Sequence, residues 1–335
     1  MPRFSKPLTV AQLEDVTLGA FAYVPTSETI NHFIRYVSTW SGNDKLFMII
    51  QYSLKLIVPF LHLRARLQHR SGLRAAPTSG AADRLAKFGS LIGDYRMLSN
   101  MWGLLPIIQW LTSLERKPPP TRKLHTIERL QGWSMLLYYP MEHVYWLLVH
   151  SIIPSTLSLP SLASKLRPSA LKSERKINLD AGVISRVSTR FWAVYVVLQF
   201  LHLSEDSRLL RKRERAVNKS KAISASAEKE EIKKRWDALN SEFFVALGYL
   251  PLTIHWSLEK GLFQNEVWVG VFGLIAALAG WRSGWKATAL PPSPQSTPMT
   301  LEADAEERYP ASEDSSLDLD IVNPAIGLEA GLDEI

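Results

Sequence analysis

Glu142 and His143, with His150 seven positions further on, are the residues of this chain whose types could move a proton or hold a metal. A carboxylate beside an imidazole can serve as acid and base, but adjacent residues on a helix point about 100° apart, so the pair does not converge unaided. His32, His62, His69, His125, His202 and His255 are scattered without ligand spacing; no metal and no cofactor is expected. The sequence has no Gly-rich phosphate loop, nucleophile elbow, HExxH pair or dinucleotide fingerprint. It has no cysteine, which removes disulfide scaffolds, thiolate metal sites and cysteine catalysis together. The residues therefore read as a protein that is not an enzyme, and a structural role for Glu142 and His143 outweighs a chemical one.

The chemistry the sequence does favour is contact with lipid. From Asp44 to Arg66 nearly every residue is apolar except Asp44, Gln51, Lys55, His62 and Arg66. At helical spacing these five fall in a stripe roughly 60° wide. Such a helix is suited to a bilayer surface or to being wrapped by neighbours. A second amphipathic segment, 83–105, sets Leu85, Phe88, Leu91, Ile92, Tyr95, Leu98 and Trp102 opposite a polar edge of Asp83, Lys87, Ser90 and Asp94. Arg84 and Arg96 lie where their stems could snorkel. The segment could wedge into one leaflet and favour positive curvature, or pack the same face on 44–66; periodicity alone favours packing.

These segments belong to a chain that reads as all-α, with apolar residues recurring at three and four and no hairpin-bounded alternating run. The spacing predicts helices near 8–22, 26–40, 44–70, 82–115, 124–152, 183–217, 228–258 and 264–285. The best membrane-spanning candidate is Val267–Trp281, uncharged between Glu266 and Arg282 and extendable to 265–285 by snorkelling flanks. One or two transmembrane helices are expected, because runs at 97–114, 132–153, 191–203 and 243–258 are interrupted or short. On the 265–285 helix, Gly273, Ala276, Ala277, Gly280 and Gly284 would let another helix approach closely.

The 335 residues carry a net charge of +7, unevenly placed. Eleven carboxylates against Arg308 make 287–335 a −10 tail, so the remainder is +17. That balance points to anionic phospholipid; nucleic acid is not expected, since the basic run in 204–235 has no interleaved aromatics. Met1–Phe21 lacks the apolar core of a signal peptide, so insertion after synthesis in the cytosol is expected. The chain divides into an N-terminal amphipathic helical region (1–117), a central membrane-associated helical region (118–203), a charged linker (204–235), a C-terminal membrane hairpin or span (236–286) and a disordered acidic C-terminal tail (287–335).

Gly42-Asn-Asp-Lys-Leu-Phe-Met-Ile-Ile-Gln-Tyr-Ser-Leu-Lys55 resembles the opening helix of the peroxisomal biogenesis factor 11 family, where a Gly-x-Asp-Lys start leads into a Gln-Tyr-centred amphipathic helix. Further likeness lies in the 83–102 segment, in Gly132-Trp133, Tyr138-Tyr-Pro140 and Glu142-His143, in the charged region before Trp236, and in the final helix with Gly270, Gly273 and Trp281. The pattern is most similar to the divergent fungal branch. The resemblance implies a peroxisomal membrane protein that remodels and elongates the organelle before fission. It would act by amphipathic-helix insertion and homo-oligomer formation, with a fission adaptor and a dynamin-like GTPase as partners. Carried over by position, the lipid-inserting residues would be Leu85, Phe88, Leu91, Ile92, Tyr95 and Leu98, with Arg84, Lys87 and Arg96 on headgroups. Asp83 and Asp94 depart from the family's strongly basic helix, and nothing in the resemblance explains the long acidic tail.

Two other readings stay open. A membrane-embedded lipid-modifying enzyme or small transporter would use Glu142 and His143 in the membrane interior. A structural membrane tether would hold partners through the basic linker and the acidic tail, and deleting 287–335 would abolish its role.

Overall fold

The structure is a computed structural model and describes residues 18–19, 24–25, 27–159, 175–219 and 225–290. The helix expected over 8–22 falls almost wholly outside the described residues, as does the acidic tail beyond 290. Within them the chain is helical: α1 Glu28–Val37, α2 Trp40–Arg70, α3 Gly80–Ser99, α4 Leu104–Arg116, α5 Arg122–Val149, α6 Ala181–Lys219, α7 Ala225–Ser257 and α8 Val267–Ala287.

Local sequence explains where these helices begin. Hydroxyls of Thr39, Ser79 and Thr121 accept from the amides of Gly42, Ala82 and Leu124 at 3.0, 3.4 and 3.2 Å, each satisfying an orphan donor of a first turn. Gly42 is required by close approach, since a Cβ there would lie 2.1 Å from the Tyr36 carbonyl oxygen. Where one helix was expected over 82–115, a 3-10 turn at Asn100–Gly103 separates α3 from α4. Pro106 has no amide to offer the Trp102 carbonyl, so a continuous ladder is lost at this point. The loop expected over 154–182 holds a short antiparallel ribbon instead, β1 Thr156–Leu159 with β2 Arg175–Asn178, Thr156 facing Asn178.

The helices pack in sequence neighbours, α5 on α6, α6 on α7 and α7 on α8, and α8 then returns to α2, which carries α3. Their common core joins Met48 and Tyr52 of α2, Met135 and Tyr138 of α5, Trp192 and Tyr195 of α6, Tyr249 and Leu252 of α7, and Ala276 of α8. The small residues of α8 allow close contact within the chain: a Cβ at Gly273 would meet the Tyr52 ring at 2.4 Å, and one at Gly284 the Tyr36 hydroxyl at 2.5 Å. Ala276 sits against Gly248 of α7, and Ala277 and Gly280 are buried. The start of the chain covers the end of α8, where a His32 ring nitrogen is 3.0 Å from the Trp285 carbonyl and Arg35 Nε donates to Thr288 O at 3.0 Å. A cation at that terminus also complements the helix dipole.

Residues 204–219 and 225–235, read from sequence as a linker, continue α6 and α7 as a paired helical stalk. Leu203, Leu210, Val217, Ile232 and Leu239 form its own apolar seam, flanked by Trp236. Arg213 reaches Glu228 and Glu231 at 3.2 and 2.8 Å across the pair. At its foot Asp237 accepts from Lys286 and, at 2.8 Å, from Arg282. The bond from Lys286, with both cations beside it, holds the Asp237 carboxyl below the ordinary carboxylate range.

α2, α6 and α8 are long and apolar enough to cross a membrane. The polar stripe of α2 turns inward: Asp44 and Gln51 are buried, while Ile57, Phe60 and Leu63 are exposed. Val194, Val197 and Leu201 of α6 and Trp268, Ile275 and Leu278 of α8 face outward in the same way. Apolar outside and polar inside is the arrangement lipid selects.

Candidate membrane-inserting face

α3 is held in place by one side chain. Arg96 is fully buried, and its Nε donates to Asp44 Oδ1 at 2.8 Å while Nη1 donates to Gln51 Oε1 at 2.7 Å. Asp44 is also 3.6 Å from Lys45 Nζ, and Lys45 Nζ lies 3.3 Å from the Tyr249 hydroxyl. The expected headgroup role of Arg96 is therefore corrected: its charge is spent on α2, in the bundle interior. An isolated buried guanidinium would be costly, and the carboxylate of Asp44 makes the position tenable.

Pinning Arg96 inward fixes the orientation of every other α3 residue. Ile92 is 3 % exposed and Leu85 is half-buried, so both lean toward the bundle rather than outward with the other four of the expected set. Phe88, Leu91, Tyr95 and Leu98 are 44–57 % exposed. The same outward surface runs on through Met101, Trp102 and Leu105, at 39, 73 and 60 %. Leu98, Trp102 and Leu105 continue the four-and-three spacing across the 3-10 turn, a signal legible in the sequence. Arg84 and Lys87 are exposed at the N-terminal end of this face. Tyr95 rests against Phe47 of α2, ring centroids 4.8 Å apart.

The residues that could do proton chemistry do not come together. Glu142 is 2 % exposed and accepts a hydrogen bond from the Tyr138 hydroxyl one turn away. His143 Nε2 is buried without a hydrogen-bond partner among the described residues. His150 lies elsewhere, its Nε2 3.4 Å from Asp94 Oδ1. The larger cavity, about 400 Å³ between α2, α3 and the end of α5, is lined by His150 but by neither Glu142 nor His143. Among the described residues no cluster of three or more His, Asp or Glu could hold a metal.

Residues 30–166 match the family model described as Peroxisomal biogenesis factor 11. The chain is a member of the peroxisomal biogenesis factor 11 family. The matched region runs from α1 through α5, so it includes the pinned helix α3 and its outward face. No curated protein and no solved structure matches the chain. Family membership implies a peroxisomal membrane protein involved in peroxisome proliferation. Peroxisomal biogenesis factor 11 is a biogenesis-factor family and not a known enzyme family.

Proposed function

We propose that this chain elongates the peroxisomal membrane by laying the outward face of α3 into one leaflet. The observation that carries the reading is the division of α3: one side is locked by Arg96, and the other leaves Phe88, Leu91, Tyr95 and Leu98 uncovered. An apolar helix face at headgroup depth widens one leaflet relative to the other. Arg84 and Lys87 beside that face suit anionic headgroups. Copies then self-associate, concentrating the wedges along a tubule, and the tubule is where a fission adaptor and a dynamin-like GTPase act.

The test uses the full chain reconstituted into liposomes containing anionic phospholipid, with shape followed by electron microscopy. The wild-type chain should tubulate them. Leu91→Glu together with Leu98→Glu, both exposed, should insert and stay folded yet leave vesicles round. Tubulation by this double variant at the wild-type level rejects the wedge. Ile92→Glu is the wrong probe, because that side chain is buried and its replacement would unfold the helix contact instead.

A further inference from the structure

The cavity of about 400 Å³ behind α3 lies within the size range of ligand sites. It exists because α3 presents Ala86, Gly89 and Gly93 toward α2 where larger residues would close the gap; a Cβ at Gly89 would meet Leu54 at only 3.7 Å. Its apolar wall includes Leu54, Val58, Leu85 and Val149. Two cation–carboxylate pairs face the same space, Lys55 Nζ with Glu266 Oε2 at 3.9 Å and His150 Nε2 with Asp94 Oδ1 at 3.4 Å.

We propose that this cavity binds one phospholipid with a primary-amine zwitterionic headgroup, of the phosphatidylethanolamine class, an acyl chain filling the apolar part. The proposal rests on the reading of α3 as a membrane-inserting helix, which places the cavity against a leaflet. Charge complementarity selects the headgroup. The lining offers two cations and two carboxylates, so an anionic lipid or a fatty acid would add uncompensated charge. Both pairs are longer than the 2.7–2.9 Å of a close charge-assisted bond. A phosphodiester can therefore take up Lys55 and His150 while the ammonium donates to Asp94 and Glu266. A quaternary ammonium donates no hydrogen bond to those carboxylates. It would instead seek an aromatic face, and the Trp146 ring is already covered by His150, centroids 4.2 Å apart.

Binding of a fluorescent lysophosphatidylethanolamine to the purified full chain in detergent tests this directly. Binding should saturate at one lipid per chain. Phosphatidylethanolamine should displace the probe about tenfold better than phosphatidylcholine, phosphatidylglycerol or oleate, a difference of about 1.4 kcal/mol. Ala86→Phe with Gly89→Leu fills the cavity and should abolish saturable binding. Should that variant lose its fold, Glu266→Gln keeps the question open, because Glu266 is largely exposed and its loss should erase the preference over phosphatidylcholine. Equal displacement by choline, glycerol or fatty-acid competitors overturns the headgroup assignment. Unsaturable binding, or unchanged binding in the filled variant, overturns the site. Leu91→Glu with Leu98→Glu should bind the probe as wild type does, so failure of the wedge reading and failure of the lipid site are told apart.

Discussion

At the scale of the residue, Arg96 decides more than any other side chain described. Its hydrogen bonds to Asp44 and Gln51 are internal, at 2.8 and 2.7 Å, and its removal would leave Asp44 buried beside Lys45 alone. Breaking a buried pair from one side costs roughly 3–5 kcal/mol, whereas replacing both partners by apolar residues of similar volume is often neutral. Arg96→Met should therefore lower the unfolding midpoint in detergent strongly, and Arg96→Met with Asp44→Leu should recover most of the loss. If the single variant unfolds like the wild type, Arg96 is not what orients α3. Nothing in the sequence distinguished this arginine from Arg84: both sit at the border of an amphipathic stripe, and only the presence of Asp44 and Gln51 on the facing helix sends one inward.

At the scale of the element, the stalk offers a contest between two kinds of interaction. Arg213 with Glu228 and Glu231 makes the most visible contact, but its side chain is 47 % exposed, and exposed pairs contribute about 0–1 kcal/mol. Leu210 and Ile232 are buried in the seam, where truncation to Ala costs about 2–5 kcal/mol. Leu210→Ala should therefore raise amide exchange through the last turns of α6 while Arg213→Ala leaves it near wild type; the reverse ranking would make the stalk an electrostatic device. Helix content here was legible, since 183–217 and 228–258 follow from periodicity. That the intervening charged residues extend both helices was not, because Leu210, Val217 and Ile232 are thinly spaced among charges and gain meaning only when paired. The 156–178 ribbon was equally hidden: four-residue strands carry too short a pattern to register. The four-and-three stripe of α3 was visible, but a stripe shows two borders and not which flank a neighbour will cover.

At the scale of the whole molecule, the apolar residues facing outward and the polar ones facing inward make a prediction about depth and sidedness. His32 meets Trp285, and Lys286 meets Asp237, so the start of α2, the foot of the stalk and the end of α8 lie at one end of the bundle. Lys55 meets Glu266, so the 258–266 connection lies at the other. A chain without cysteine is its own blank for site-directed labelling. In intact proteoliposomes, Val197→Cys and Leu278→Cys should resist a membrane-impermeant maleimide, because both side chains would lie among acyl chains. Ser38→Cys and Lys234→Cys should label together from one side, and Lys260→Cys only from the opposite side. Rapid labelling at Val197 and Leu278 would mean that these exposed apolar faces are covered by protein partners rather than lipid. Labelling of Lys234 and Lys260 from the same side would mean that α7 and α8 do not carry the chain across, which would return the bundle to the membrane surface and leave α3 as one of several helices lying on it.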